Sequence, residues 1–391
     1  MPFEVPSSWV WCKLHDIIQI TNGRSQKYVE NVNGKYPIYG SGGIIGKAVD
    51  YLCEAGSTII GRKGTINNPL FVKERFWNID TAFGMKPMYA ISDLYFFYFC
   101  QYFDFSKLDK STAVPSLTQS AIGEVFIPIP PIKEQKRITD EISYWLGFID
   151  TLESNLINLQ LAIKQTKSKI LDLAIHGKLV PQYPTDEPAS ELLKRINPKA
   201  EITCDNGHYQ KLPEGWCECT LGSLFLFIRN GINIHQDKSK IGYPITRIET
   251  ISSEFIDRSR MGYAAITEDN YSDYYLQKDD ILMSHINSPI HVGKCALCDI
   301  KAGEKIIHGM NLLCLRPYPD IEAKFILMVF RSPYFKDEIR PFIKNAVNQA
   351  SINIRNLSSV HLHLPPVSEQ HRIVAKIEEI FAQLDEIEAS L

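Results

Sequence analysis

The chain lacks any apolar run long enough to cross a bilayer: LYFFYFC at 94–100 is among the longest, against the ~18 residues a spanning helix needs. The N-terminus, MPFEVPSSW, has neither a basic flank nor an apolar stretch, so no secretory signal is visible and a cytoplasmic location is expected. A disulfide framework is missing too. Nine cysteines, an odd number scattered over 391 residues, suit a reducing compartment. Cys217-x-Cys219 and Cys295-x-x-Cys298 would make a zinc site only if both pairs converged on one tetrahedron. The second pair lies in KCALCDI, which reads as strand, so buried thiols are expected and no metal ligand is assigned. An excess of charge of one sign is also absent. The net charge is −3; residues 1–131 carry 12 basic and 11 acidic side chains, residues 211–366 carry 18 and 17, and the last 25 carry 2 and 6. With no basic tail or stripe, charge alone does not suggest a free-standing nucleic-acid binder.

Catalytic signatures are equally scarce. GSTIIGRKGT departs from a phosphate loop because Arg62 stands where the lysine must directly follow the second glycine. GSGGIIG at 40–46 lacks the strict G-x-G-x-x-G frame and the acidic partner of a dinucleotide site. NNPLF at 67–71 has Leu where the Asn-Pro-Pro-aromatic motif of amino-methyltransferases has its second proline. No His, Asp or Glu cluster suited to nuclease metals recurs, and no catalytic residue is assigned.

What the chain does contain is written twice. VPSSWVWCKL (5–14) matches LPEGWCECTL (212–221), and Tyr36-Pro37-Ile38 matches Tyr243-Pro244-Ile245, both at an offset of 207. PSLTQSAIGEVFIPIPP (115–131) matches ASINIRNLSSVHLHLPP (350–366) at 235, and PPIKEQKRI (130–138) returns as PPVSEQHRI (365–373). The offset grows by 28 through insertions, chiefly between 250 and 315. Two copies of this length indicate a duplicated domain, not a solenoid.

After each PP the apolar positions step by 4,3,4,3. The first series runs Ile138, Ile142, Trp145, Ile149, Leu152, Leu156, Leu159, Ile163, Thr166, Ile170, Leu173; the second runs Ile373, Ile377, Ile380, Leu384, Ile387, Leu391. This is a coiled-coil stripe. Pro131 suits a helix start, Glu134 complements the helix dipole, and Gly177 ends the first helix. The first helix would be roughly 65 Å long, too long for one small domain to cover. The stripes fit antiparallel pairing within the chain; pairing with another subunit is the alternative. Between the first helix and the second unit, residues 177–211 carry four prolines and a short helical patch, Ala189 to Ile196, and read as a linker.

Within each unit short alternating runs predict strands, with helices marked only near 93–103 and 322–330. Four polar segments interrupt them in the same order. They are YGSGG (39–43), GRKGTINN (61–68), NIDTAFG (78–84) and AVPSLTQ (113–119), then ITRIE (245–249), SHINSPIH (284–291), IIHGMN (306–311) and VNQASIN (347–353). Such residues can bond base edges or phosphates, and two copies with shared frames but different loops suit one kind of domain reading two texts.

Taken together, the LPxxW starts, the two PPxxEQxxI helix entries, SKILDLAIHGKLVPQ (168–182) and the DEPASELL stretch closely resemble the specificity (S) subunit of type I restriction–modification systems. The resemblance covers nearly the entire chain and implies a duplicated α/β (α+β) protein. Two target-recognition domains with mixed β-sheets, 1–131 and 211–366, would be separated by two long antiparallel coiled-coil helices, 132–178 and a short 367–391, with a linker at 179–210 and pseudo-two-fold symmetry. Each domain would read one half of a bipartite double-stranded DNA site, with the helices setting the spacer. The chain itself would be non-catalytic and bind no cofactor. Two modification subunits would carry S-adenosylmethionine and methylate adenine N6, and restriction subunits would use ATP and Mg. Partners enclosing the duplex would share the phosphate contacts, which accounts for the near-neutral charge. A fused methyltransferase or nuclease half, or a scaffold that does not bind DNA, are the rival readings.

Recognition loops vary by design, so the candidate DNA contacts are chosen from residue chemistry. They are Ser41, Arg62, Lys63, Thr65 and Gln119 in the first unit, and Arg247, His285, Asn287, His291, Asn348 and Gln349 in the second. The candidate coiled-coil or partner residues are Ile138, Ile142, Trp145, Ile149, Leu152 and Leu156 with Ile373, Ile377, Ile380, Leu384 and Ile387.

Overall fold

The computed structural model describes residues 3–391 except 112, 204–211, 267–270, 290 and 347–348. The chain divides into two units, Met1–Asn155 and Leu156–Leu391. The first contains β1 (Val10–Lys13), β2 (Ile18–Asn22), β3 (Tyr36–Gly40), β4 (Gly43–Ala48), β5 (Ser57–Gly61), β6 (Leu70–Val72), β7 (Trp77–Asn78), β8 (Ala82–Pro87), α1 (Asp93–Tyr102), β9 (Phe126–Ile129) and the start of α2 (Ile132–Ile175). STIIG centres on the β-branched run Thr58-Ile59-Ile60 and carries no charge. It accordingly forms an inner strand, β5, buried at every position. The sheet order is β2-β8-β5-β6, all antiparallel, beside a small mixed sheet in which β3 pairs β4 antiparallel and β7 parallel. Helix α1 starts where the Ser92 side chain accepts from the Tyr95 amide, and it buries Tyr95, Phe96 and Cys100.

The second unit repeats this plan. It holds α3 (Ala189–Ile196), β10 (Ile202–Thr203), β11 (Cys217–Thr220), β12 (Phe225–Asn230), β13 (Tyr243–Ile245), β14 (Gly262–Ala264), β15 (Ile281–Ser284), β16 (Ile286–Asn287), β17 (Cys295–Leu297), β18 (Leu312–Pro317), α4 (Ala323–Arg331), α5 (Pro333–Ile339), β19 (Lys344–Ala346), β20 (Gln349–Ser351), β21 (His361–Leu364) and α6 (Val367–Ala389). The sheet β12-β18-β15-β17 keeps the register of the first unit. Ile60 faces Phe83 as Met283 faces Leu313, and Gly61 faces Ala82 as Ser284 faces Leu312. Ile38 bridges Trp77 in parallel as Ile245 bridges Ile307. The duplication read from the sequence is therefore a duplication of hydrogen-bonding frame.

The later part of α2 packs on α6 in antiparallel fashion. Lys167 pairs with Asp385 and Glu388, Leu171 shares a hollow with Ile377 and Phe381, and Ile163, Ile170, Leu171, Ala174 and Ile175 are buried. Residues 177–196 do not hang free of the second unit. Ala189, Leu192 and Leu193 of α3 join its core, because the helix is short but strongly one-sided. Cys217, Cys219, Cys295 and Cys298 are buried and outside any disulfide, and among the described residues no group of three or more His, Cys, Asp or Glu could hold a metal. No helix among the described residues is long and apolar enough to cross a membrane.

Candidate nucleic-acid interface

The central sheet brings the four polar segments of each copy to one place. In the first unit Arg62 follows β5, and its amide donates to Thr81 O at 2.7 Å while its carbonyl accepts from Leu117 N at 2.9 Å. Gly64 N donates to Pro115 O and Ile79 N to Tyr39 O, at 3.0 and 2.9 Å. Ser41 lies against Gly61, where an added Cβ would stand 3.1 Å from the serine's own. Segments 39–43, 61–68, 78–84 and 113–119 thus converge beyond the end of β5.

The second unit does the same with other residues. His285 occupies the place of Arg62, one residue past the strand, and its carbonyl accepts from Ile352 N at 3.0 Å. Thr246 N donates to Ile307 O at 3.0 Å, Gly309 N donates to Thr246 Oγ1 at 3.0 Å, and β16 pairs with β20. Asn78 of the first unit and His308 of the second stand at matching positions. Asn78 Nδ2 donates to Ala82 O at 2.9 Å and Thr21 O at 3.3 Å, whereas His308 Nε2 meets Leu312 O at 3.0 Å. The register also sets Arg229 where the first unit has Thr21. At matching positions the cations therefore differ: the first unit has Arg62 where the second has His285, and the second has Arg229 where the first has Thr21.

The candidate DNA contacts fall as follows. Lys63 and Thr65 are exposed, and Ser41, Arg62 and Gln119 are half-buried. Arg62 lies over the Phe83 ring, 5.9 Å from its centre, and Gln119 Nε2 donates to Ile20 O at 3.3 Å. In the second unit His291 and Gln349 are exposed, while Arg247 is half-buried with Glu249 at 3.4 Å. Asn287 is half-buried and turned inward, its Nδ2 donating to Ser284 Oγ at 3.1 Å. His285 is buried. Asn348 lies outside the described residues. Of the helix residues, Ile373 and Ile377 are buried, Ile138, Ile142, Ile380 and Leu384 are half-buried, and Trp145, Ile149, Leu152, Leu156 and Ile387 are exposed.

Two features escaped the sequence reading. One is the buried polar group around His308, in which His285 Nδ1, His308 Nδ1 and Arg229 Nε have no hydrogen-bond partner among the described residues. His285 is a candidate contact as a loop residue, but single His and Arg letters carry no sign of burial, so only the strand register could have singled out His308 and Arg229. The other is a cleft of about 430 Å³ lined by Lys238, Lys240, Arg247, Arg258 and Arg260. These cations are dispersed over 23 residues, so they never form a run. Arg258 is neutralised there by Asp299 and Glu304, and its hydrogen bonds hold the Glu304 carboxyl at about 2. Glu249 lines the cleft as well, 3.4 Å from Arg247, and Arg260 pairs with Asp257 at 3.2 Å.

Burial pushes His308 down from 6.5 to about 4; the carbonyl of Leu312 opposes the shift, while Arg229 and His285 add to it. Burial lowers His285 as well. The neutral rings belong to the folded form. For His308 the stabilisation is therefore complete above pH 6.5 and is lost as pH falls toward 4, by about 2–3 kcal/mol, and His285 acts in the same direction. His308→Asn, which copies the first unit, is expected to flatten that loss. Urea unfolding at pH 7 and pH 4.5 checks it; equal pH dependence in both proteins would refute the assignment.

Residues 6–161 and 213–391 match the family described as type I restriction modification DNA specificity domain. The MjaX type I restriction enzyme specificity subunit of Methanocaldococcus jannaschii is 45% identical over 169 residues, which are 43% of this chain and 39% of that one. The chain spans 39%, 56% and 57% of the length of three of the curated relatives it matches. A chain solved in work on complex assembly and conformational transition of the type I R-M system aligns over 100% of this chain and 94% of its own, with a TM-score of 0.63 at 17% identity. The HsdS subunit from Thermoanaerobacter tengcongensis aligns over 100% and 93%, with a TM-score of 0.59 at 16% identity. At these identities the structural likeness speaks for the fold.

Proposed function

The chain belongs to the family of type I restriction modification DNA specificity domains, and on that footing we propose that each of its units reads one half of a bipartite DNA site. One observation carries the reading: in both units the four polar segments meet beyond the end of the same strand of the same sheet, with different side chains on a shared frame. A shared frame fixes where a duplex edge would lie, and the differing side chains decide which bases are accepted. Modification subunits that carry S-adenosylmethionine would dock on the exposed apolar stripe Trp145, Ile149, Leu152 and Leu156 and methylate adenine N6. Restriction subunits would supply ATP- and Mg-dependent cleavage, and the helices would set the spacer. This chain would contribute no catalytic group of its own.

Selection from a random duplex library by the complex with its modification subunits tests this directly. A bipartite motif with a fixed spacer is expected; enrichment of no motif would overturn the reading. Within that motif, Arg62→Ala is expected to cost ~1–3 kcal/mol and relax one position, while Lys63→Ala weakens all sequences alike. Equal losses on every sequence for Arg62→Ala would make Arg62 a phosphate contact instead.

A further inference from the structure

The hairpin that begins with the repeated Tyr-Pro-Ile has one frame in both units and two different tips. Tyr36 faces Ala48 and Ile38 faces Gly46 on β3 and β4, as Tyr243 faces Ala264 and Ile245 faces Gly262 on β13 and β14. Between the paired ends the first unit has seven residues, 39–45, and the second sixteen, 246–261. The longer loop sends Ile251, Ile256 and Met261 into the core and lines the cleft with Arg247, Arg258 and Arg260. The shorter loop does the reverse: Ile44 is 64% exposed and Ile45 51%.

A lone exposed isoleucine means little; the setting of this pair is what counts. The strands lose register between Ile38 and Tyr39, so Ile45 is an extra residue on β4. Such a bulge re-aims side chains that pleating alone would send to opposite faces. Gly43 turns the tip at φ +127°, and a Cβ added to it or to Gly42 would meet nothing within 4 Å, so the approach is open. The tip also belongs to the loop cluster. Ser41 lies against Gly61, Tyr39 O accepts from Ile79 N at 2.9 Å, and Ile45 Cγ2 and Ile79 Cδ1 lie 3.8 and 3.5 Å from where a Cβ on Gly40 would stand. Charge does not make the tip a phosphate grip. Glu30 Oε1 stands 3.2 Å from the corresponding place on Gly46, and exposed Asp80 adjoins Arg62.

An apolar pair set among groups able to bond base edges has one apolar counterpart in the major groove, the C5-methyl of thymine. We propose that Ile44 and Ile45 close on a thymine methyl in the half-site read by the first unit. The inference rests on the DNA-reading function proposed above and adds to it the base and the group recognised. The second unit, with cations at the same place on the frame, makes no such contact there.

Uracil in place of thymine, one position at a time, in the duplex selected by the full complex with its modification subunits tests the contact. The exchange removes a methyl and keeps every hydrogen-bonding group of the base. One position is expected at which it lowers affinity about three- to tenfold, the scale of one buried methyl group. At that position a chain carrying both Ile44→Ser and Ile45→Ser should bind the two duplexes alike. Val49→Ser, at a residue 57% exposed just beyond the far end of β4, should keep the full response. No methyl-sensitive position, or sensitivity undiminished in the double variant, overturns the proposal. Loss of assembly with the modification subunits in the double variant also overturns it, because the tip would then be a protein contact. Selection that enriches no motif sinks the DNA-reading function itself, whereas a motif indifferent to uracil sinks the methyl contact alone.

Discussion

Asp280→Ala is expected to destabilise the second unit by about 3–5 kcal/mol, because it strands a guanidinium in the interior. The Asp280 side chain is 0% exposed and Arg316 17%. Their pairing is bidentate, with Arg316 Nε and Nη2 each 2.7 Å from a carboxylate oxygen. Asp280 Oδ2 also accepts from Gln277 N at 2.7 Å, and Arg316 lies over Phe227, 4.8 Å from the ring centre. Removing the carboxylate leaves the guanidinium without its counter-charge, with the Tyr275 carbonyl at 3.3 Å as its remaining acceptor, and strips the Gln277 amide of its acceptor at the same time. In the first unit the register puts Ser57 and Lys86 at these places. Lys86 there pairs with Asp93 at 2.8 Å, but the two side chains are 30% and 37% exposed. Lys86→Ala is therefore expected to cost less than about 1 kcal/mol. Urea unfolding followed by hydrogen exchange measures both changes, read at the β15 and β18 amides for Asp280→Ala and at the β5 and β8 amides for Lys86→Ala. Similar costs for the two variants would mean that the buried pair contributes no more than a surface one. Replacing both Asp280 and Arg316 by apolar residues of similar volume should recover most of the loss.

The contrast between the units marks what a sequence can and cannot show. The repeated PPxxEQ entries, the heptad stripes and the polar segments are periodic or spaced features, and the units they outlined share their strand register. The helix patch Ala189–Ile196 was equally visible; its burial was not, since proline-rich flanks look alike in a tether and in a docked strap. The site was legible only as four loops. Their meeting beyond β5 and β15 depends on sheet order, which pairs strands more than a hundred residues apart in the first unit alone, as Val10 with Ile129. His285 was singled out as a polar loop residue, yet it is turned into the interior. A strand that ends one residue earlier or later points its next side chain to the opposite face, and periodicity does not fix strand ends to that precision. Arg229 and His308 were missed for a related reason: their chemistry comes from each other's proximity, not from neighbours in the chain.

Gln135→Ala is expected to cost about 3–4 kcal/mol, and Gln370→Ala nearly as much, although both residues sit at the start of long helices where polar substitutions are usually tolerated. They are 1% and 0% exposed. Gln135 Oε1 accepts from Ser92 N at 2.8 Å, and its Nε2 donates to Pro130 O at 2.9 Å and Ala90 O at 3.1 Å. Gln370 Oε1 accepts from Glu322 N at 3.0 Å, and its Nε2 donates to Pro365 O at 2.9 Å. In each unit one amide thus ties the first turn of the long helix to the residue that caps the sheet-covering helix, Ser92 on α1 or Glu322 on α4. This is the physical content of the repeated PPxxEQ motif. The prolines cannot supply an N–H, the carbonyl of the first proline needs a donor, and only an amide side chain can both donate there and accept from the cap. Truncation leaves two or three buried backbone groups unpaired, at ~1–3 kcal/mol each in the worst case. Gln135→Met keeps the volume and removes the hydrogen bonds, so it separates the cavity from the polar loss and should still cost about 2 kcal/mol or more. Gln135→Glu restores the acceptor for Ser92 but sets a carboxylate against two carbonyls, and no rescue is expected at pH 7. Exchange of the Ser92 amide by NMR or mass spectrometry reports the tie itself, and should accelerate in Gln135→Ala and Gln135→Met. If that amide stays protected while the helix entry is cut, the glutamine is a passenger in a joint held by packing alone.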